Sequence, residues 1–349
     1  MIKNTIGIPK EIKKFEFRVG ATPTCVKAYK KICEYVFVEA GAGIGSGFSD
    51  DEYAEAGATI VSTAKEAWNA EMVIKVKEPQ PSEFQYFEKG KFLYTYLHLA
   101  AFPDLTEALV RSEMNCVGYE TISENNSLVC LEPMSIIAGK LAAQKGSEYL
   151  LAPHGRGILM GGLPGIPPAN VTIVGGGSVG TAAARVSIGM GANVTILDIS
   201  QKRLYELENI FGNSVNLLLS NDKNIKSTLV NTDLLIGAVL IPGKKAPKLF
   251  NSILLNLMKR NSVFVDVAID QGGCSDTSVP TTHDNPIYYK DNILHYCVAN
   301  MPSVSARTST LALTNSTLKY GLDLFLNKDR KCEIDKGWQI NKNGMIISM

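Results

Sequence analysis

Short runs of β-branched and aromatic residues recur along the chain, separated by stretches with helical spacing of apolar positions. In the first third the runs are Thr5–Ile8, Tyr35–Glu39, Met72–Val76, Phe92–Leu97 and Cys116–Tyr119, with amphipathic segments such as Asp50–Ala56 and Leu105–Ser112 between them. Nearly continuous apolar runs are what strands buried on both faces look like, and intervening helices supply the crossovers of a parallel sheet. A second series starts at Val171 and continues through Val194–Leu197, Leu234–Ala238, Val263–Val267 and Ile293–Cys297. Between the series, Met134–Leu150 carries helical spacing, and Thr308–Leu326 reads as a second long helix that returns the chain to the first domain. The pattern predicts an α/β chain of two doubly wound Rossmann-like domains with parallel sheets, joined by long helices. Residues 1–133 with 308–349 would form a substrate domain, and residues 134–307 a nucleotide-binding domain. There is no internal repeat and no low-complexity tract.

Composition narrows the class. A chain of 349 residues is long for one core, and its 45% hydrophobic and 20% charged residues are those of a soluble globular protein. A net charge of +1 gives no electrostatic footprint for nucleic acid. No apolar run approaches the ~18 residues of a membrane span. The first residues enter a strand instead of the apolar region of a signal peptide. The expectation is a cytoplasmic protein with neither membrane nor nucleic-acid partners. Seven scattered cysteines without a CxxC pair fit a reducing compartment as small core residues, and no metal site is expected.

The densest signal is Val171-Thr-Ile-Val174 followed by Gly175-Gly-Gly177-Ser178-Val179-Gly180, then Val194-Thr-Ile-Leu-Asp198. This is strand, glycine turn, helix, and a second strand ending in an acid. Gly175 would allow the tight turn, Gly177 the approach of backbone to a pyrophosphate, and Gly180 close packing of helix on strand. Asp198, roughly twenty residues on, would accept from a ribose diol. The other reading is a glycine-rich turn without a ligand.

Other candidates stand at predicted strand ends, where ligands bind in open α/β sheets. His98, one of four histidines, closes the run from Phe92; it is either a proton donor to a carbonyl oxygen or a satisfied core residue. Arg18 follows the first strand, and its planar fork matches a carboxylate bidentately. Lys75 and Lys77 precede Pro79, and alternation puts them on one face. As isolated residues, all three cations read as solvated surface charges. Asp270, beside Gly272 and Gly273, suits either a loop that closes over a ligand or an ordinary turn. Asn300-Met301-Pro302 follows a strand in the same way.

Taken together, the segments GIPKEIK and E-x-RV (Gly7–Val19), AGAGIGSGF (Ala40–Phe48), VIKVKEP (Val73–Pro79), YLHLA (Tyr96–Ala100) and VGGGSVGTAAA (Val174–Ala184) resemble the alanine dehydrogenase/pyridine nucleotide transhydrogenase family. PMS at Pro133–Ser135 and IGAVLIPGKKAP, VDVAIDQGG, TTHD and VANMP between Ile236 and Pro302 extend the match in order. The resemblance implies a homohexamer that interconverts L-alanine with pyruvate and ammonium using NAD, without a metal. It implies Arg18 and Lys77 as the substrate-binding pair, and His98 and Asp270 as the catalytic pair. Its cofactor contacts fall on Ser135, Ser178, Val179, Asp198, Arg203, Ser220, Val239 and Leu240. They continue over Val267, Ala268, Ile269 and Asp270 and over Val298, Ala299, Asn300 and Met301, besides the three glycines. Cys25 and Cys33 replace common glycines, Ser303–Ala306 departs from the usual loop, and the tail after Leu326 is shorter than usual. Two alternatives are the nucleotide-binding subunit of a proton-translocating transhydrogenase and a catalytically silent relative. The group Arg18, Lys77 and His98 and the lack of a membrane segment favour the dehydrogenase.

Overall fold

The computed structural model describes residues 2–125, 127–239, 245–326, 337–340 and 346. The chain forms two compact units, Met1–Met134 with Pro302–Met349, and Ser135–Met301. It passes from the first to the second inside the helix Glu132–Leu150 and returns at Pro302, ahead of the helix Ala306–Leu326.

In the first unit, strands β1 (Ile2–Ile8), β2 (Tyr35–Glu39), β3 (Thr59–Val61), β4 (Ala70–Ile74), β5 (Phe92–Thr95) and β6 (Asn115–Gly118) lie parallel in the order β3-β2-β1-β4-β5-β6. In the second unit, β7 (Asn170–Val174), β8 (Asn193–Asp198), β9 (Asn216–Leu219), β10 (Leu234–Gly237), β11 (Val263–Asp266), β12 (Ile287–Lys290) and β13 (Ile293–Tyr296) form a sheet ordered β9-β8-β7-β10-β11-β13-β12. The antiparallel edge strand of the second sheet is β12; that of the first is β14 (Trp338–Ile340), which pairs with β6. Both units thus repeat the doubly wound order, with reversal points between β1 and β4 and between β7 and β10.

The reason for burial is plain in the strands. All four residues of β5, β6, β10, β11 and β13 are buried, as parallel strands covered on both faces must be. Polar signals start several helices: Ser49 with Glu52 and Thr63 with Glu66 form reciprocal capping boxes. The helix Ala306–Leu326 is stitched to the first unit by Thr310, whose hydroxyl lies 2.7 Å from Ser46 Oγ and accepts from Val19 N–H at 3.2 Å. Tyr94 O–H donates to Thr317 O at 2.8 Å further along the same helix. Six cysteines are free and buried among the described residues, and no described helix is long and apolar enough to cross a membrane.

One buried histidine makes stability depend on pH. His295 in β13 lies with Nδ1 3.0 Å from Ile293 O and Nε2 2.8 Å from Thr277 Oγ1, its ring stacked on Tyr288. Nδ1 therefore carries the hydrogen and Nε2 accepts from Thr277. Burial holds this imidazole below the ordinary histidine value. The unfolded chain then takes up a proton that the folded chain refuses. The contribution to stability is complete above the ordinary value and is lost as pH falls through it toward the folded value. His295→Gln should flatten the fall in stability between pH 7 and pH 5, by at most about 1.4 kcal/mol per pH unit for one proton. Urea midpoints at several pH values check this, and an unchanged slope would remove His295 as a contributor.

Candidate functional site

In the first unit the candidate residues gather beyond the carboxyl ends of β1, β4 and β5, around the reversal point. Arg18, after β1, is only 2% exposed. Its Nε and Nη2 donate to the two carboxylate oxygens of Glu16 at 2.7 and 2.5 Å, and Nη1 lies 3.0 Å from Met134 Sδ. Burial opposes the charge on Arg18, but Glu16 outweighs it and raises the pKa. The bidentate edge expected to clamp a ligand is thus already matched by Glu16. Arg18 is a fixed, compensated cation, not an open fork.

Lys75 is wholly buried, with Nζ 3.1 Å from Glu11 Oε2 and 3.0 Å from Glu83 Oε1. Glu11 Oε1 also accepts the backbone N–H of Val76 at 2.6 Å and of Lys77 at 3.4 Å. Burial pushes the Glu11 carboxyl up to about 6 despite the attraction of Lys75. Alternation does not govern the two lysines, because β4 ends at Ile74. Lys77 is 9% exposed, and Thr95 O–H donates to its carbonyl at 3.0 Å. Its ammonium makes no hydrogen bond and no ion pair with the described residues. Burial pushes the Glu78 carboxyl up, but Lys77 and Lys13 outweigh it and draw it below the usual carboxylate value. The surface reading therefore fails for all three cations.

His98 follows β5, half-buried, with left-handed backbone angles φ 50° and ψ 42°. The Glu120 carboxylate accepts the backbone N–H of His98 at 2.6 Å and of Leu97 at 3.1 Å, and Gln339 Nε2 at 3.0 Å. The imidazole stacks on Tyr96 at 5.7 Å between centroids, and Tyr96 interacts electrostatically with Arg18. Arg18, Lys77 and His98 thus belong to one connected group, through Glu11 and Tyr96. Glu11, Glu16, Glu83 and Glu120 were not foreseen as its supports, although the E-x-R spacing of Glu16 and Arg18 was visible in the sequence.

In the second unit the glycine turn follows β7. Gly175 has φ +102°, and a Cβ there would stand 2.5 Å from Ala238 O, so the turn lies against the end of β10. A Cβ on Gly180 would stand 1.9 Å from Gly175 O, whereas one on Gly177 would meet nothing within 4 Å. The helix Ser178–Gly189 begins with Gly177 at its N-cap, which has no side chain to accept from the first turn. Open space at Gly177 beside a helix N-terminus is what a dinucleotide pyrophosphate requires. Asp198 ends β8, and its carboxylate accepts Gly176 N–H at 2.7 Å and Ser200 N–H at 2.8 Å. Arg203 Nε donates to Gly176 O at 2.8 Å, Nη2 to Thr181 Oγ1 at 2.9 Å and Nη1 to Glu206 at 2.6 Å. That guanidinium braces the turn.

The remaining candidates flank these elements. Ser135 lies in the helix Glu132–Leu150, Val179 in the helix after the turn, Ser220 after β9 and Val239 after β10; Leu240 falls outside the described residues. Val267, Ala268, Ile269 and Asp270 form a 3-10 turn after β11, since the strand stops at Asp266. Asp270 is exposed, and its carboxylate accepts Asn300 N–H at 3.1 Å. Asn300, with φ +57°, belongs to the segment Val298–Met301 after β13.

Models of the alanine dehydrogenase/PNT N-terminal and C-terminal domains match residues 7–138 and 142–348. The chain is 53% identical to an alanine dehydrogenase of Methanococcus maripaludis, over 91% of this chain and 87% of that protein. It is similar to a solved structure of an L-alanine dehydrogenase, with TM-score 0.93 and 47% identity over 98% of this chain and 96% of the other. A transhydrogenase structure from Sinorhizobium meliloti shares the fold, with TM-score 0.84 at 21% identity over 98% of this chain and 100% of the other.

The contrast between the two lysines is measurable. Lys75→Met would strand Glu11 and Glu83 without their cation and should destabilise the protein by about 3–5 kcal/mol. Lys77→Met removes a charge that has no ion pair with the described residues, so stability should change little. Chemical denaturation compares them directly; an equally severe loss in Lys77→Met would mean that its ammonium is paired in the folded chain.

Proposed function

The chain belongs to the alanine dehydrogenase/PNT family, and from that premise we propose that it is an oxidoreductase of L-alanine that uses NAD. The reaction converts L-alanine, water and NAD to pyruvate, ammonium, NADH and a proton, reversibly. The observation that supports this reading is Lys77, a largely buried residue whose ammonium has no ion pair with the described residues, after β4 in the same unit as the compensated Arg18. An ammonium whose donors are uncommitted can give charge-assisted hydrogen bonds to a small carboxylate ligand. Arg18 adds charge-assisted donors beyond those given to Glu16. Alanine and pyruvate share that carboxylate.

Bound NAD supplies the hydride acceptor. Loss of hydride from Cα leaves an imino acid, to which water adds and from which ammonia departs. His98 holds or gives the proton at the carbonyl oxygen of pyruvate, and its left-handed backbone, pinned by Glu120, sets the direction of the ring. Asp270 handles protons of the entering water and leaving amine. Gly177 and the first turn of the helix, with Ser178 and Val179, would receive the pyrophosphate, while Gly175 allows the turn and Gly180 the close packing beneath it. Asp198 accepts from the ribose hydroxyls and repels a 2′-phosphate, which favours NAD over NADP. Arg203 is committed to Gly176 and Thr181, so it is not a ready partner for that phosphate. A cytoplasmic homohexamer, implied by the family resemblance, completes the proposal; light scattering on the purified protein tests the assembly.

L-Alanine with NAD at mildly alkaline pH should generate NADH absorbance, and pyruvate, ammonium and NADH should consume it, with NADP a poor substitute. His98→Ala should lower kcat by roughly 10²–10⁴, the usual worth of general acid–base catalysis, while NADH still binds. Hydride exchange between two nucleotides with alanine inert would contradict the proposed reaction. Near-normal kcat in His98→Ala would contradict the proton assignment.

A further inference from the structure

Asp270 stands exposed on a short turn, and the support of that turn is internal. The residue that ends β11, Asp266, is wholly buried. Its Oδ1 accepts Ala268 N–H at 3.0 Å and the Cys274 thiol at 3.3 Å; its Oδ2 accepts Cys274 N–H at 2.8 Å and Ser278 O–H at 2.5 Å. These donors flank Asp270 in sequence, one before it and the others after it. Burial, and the adjacent carboxylate, hold the Cys274 thiol well above its usual pKa, which keeps it a donor. The turn closes tightly. Gly272 and Gly273 take φ +92° and +76°, and a Cβ on Gly273 would stand 2.8 Å from Asp266 Oδ2. The paired glycines therefore serve close wrapping of the chain around a carboxylate. From outside, Lys248 Nζ donates to Gly272 O at 2.7 Å and to Ser275 O at 2.8 Å.

We propose that Asp266 is the positioning residue for Asp270: its carboxylate gathers Ala268, Cys274 and Ser278 so that the turn between them presents Asp270 in one orientation. The inference rests on Asp270 as the proton-handling group of the proposed reaction. A buried carboxylate oxygen is acceptor-only, and it suits a site made entirely of donors. An asparagine in the same place would turn an N–H₂ group toward two of those donors, and one side of the turn would be released.

Two readouts test this. In Asp266→Asn, hydrogen exchange across residues 267–278 should accelerate at least tenfold while β7 and β10 keep their protection. This needs no substrate, so it judges the positioning claim even if alanine turnover is absent from the wild-type protein. In steady-state kinetics, Asp266→Asn should lower kcat for amination at least thirtyfold, with the KM for pyruvate and the Kd for NADH changed less than threefold. Asp266→Asn combined with Asp270→Asn should be no slower than Asp270→Asn alone, because one residue acts through the other. Ser278→Ala, which leaves Asp266 in place, should give a five- to tenfold fall in kcat and serves if Asp266→Asn fails to fold. Unchanged exchange, or kcat within threefold of wild type in the folded variants, would overturn the proposal. So would losses of kcat, pyruvate affinity and NADH affinity in equal proportion, or multiplicative losses in the double variant.

Discussion

Burying cations beyond the ends of a parallel sheet is the constraint on which the first unit turns. Three basic side chains, Arg18, Lys75 and Lys77, lie almost wholly out of water within the same sheet end. Buried charges need partners or access to water, and the chain supplies partners unequally. Arg18 has Glu16, Lys75 has Glu11 and Glu83, and Lys77 has no ion pair among the described residues. The carboxylates do more than neutralise. Glu11 binds the backbone at Val76 and Lys77, and so fixes the segment that carries the unpaired lysine.

The second unit solves a different problem with backbone. Its glycine turn is defined by missing side chains: a Cβ on Gly175 or Gly180 would strike a carbonyl oxygen, whereas one on Gly177 would meet open space. Asp198 and Arg203 then hold the turn from its two sides, through Gly176 N–H and Gly176 O. The acid and the base thus each have a structural task beside any contact with a nucleotide.

The chain's periodicity made the fold legible where strands are long and apolar. Tyr35–Glu39 agrees at both ends with the structure, and Val171–Val174 and Val194–Leu197 fall within their strands. It failed where strands are short, half-exposed or at sheet edges. Thr59–Val61 has three residues, Asn216–Leu219 has none buried, and Ile287–Lys290 and Trp338–Ile340 join as antiparallel edges. The apolar run Met72–Val76 misses both ends of Ala70–Ile74: the strand starts earlier, where Ala70 pairs with Ile2, and stops before Val76, whose N–H goes to Glu11. At the site, single residues were visible from motifs, but their partners were not. Glu11 is 64 residues from Lys75, and only the β1–β4 pairing brings them together. Burial of Arg18 and Lys77 was equally hidden, since cations in loops are usually solvated.

The proposed role of Lys77 is to meet a ligand carboxylate with an ammonium that has no ion pair among the described residues. Titration of oxamate, an unreactive isostere of pyruvate, into the protein saturated with NADH measures that without turnover. Saturable binding to the wild-type protein is expected, with at least about a hundredfold weakening in Lys77→Met and NADH affinity preserved, because about 3 kcal/mol of charge-assisted hydrogen bonding is removed. Equal oxamate affinity in the two proteins would contradict it.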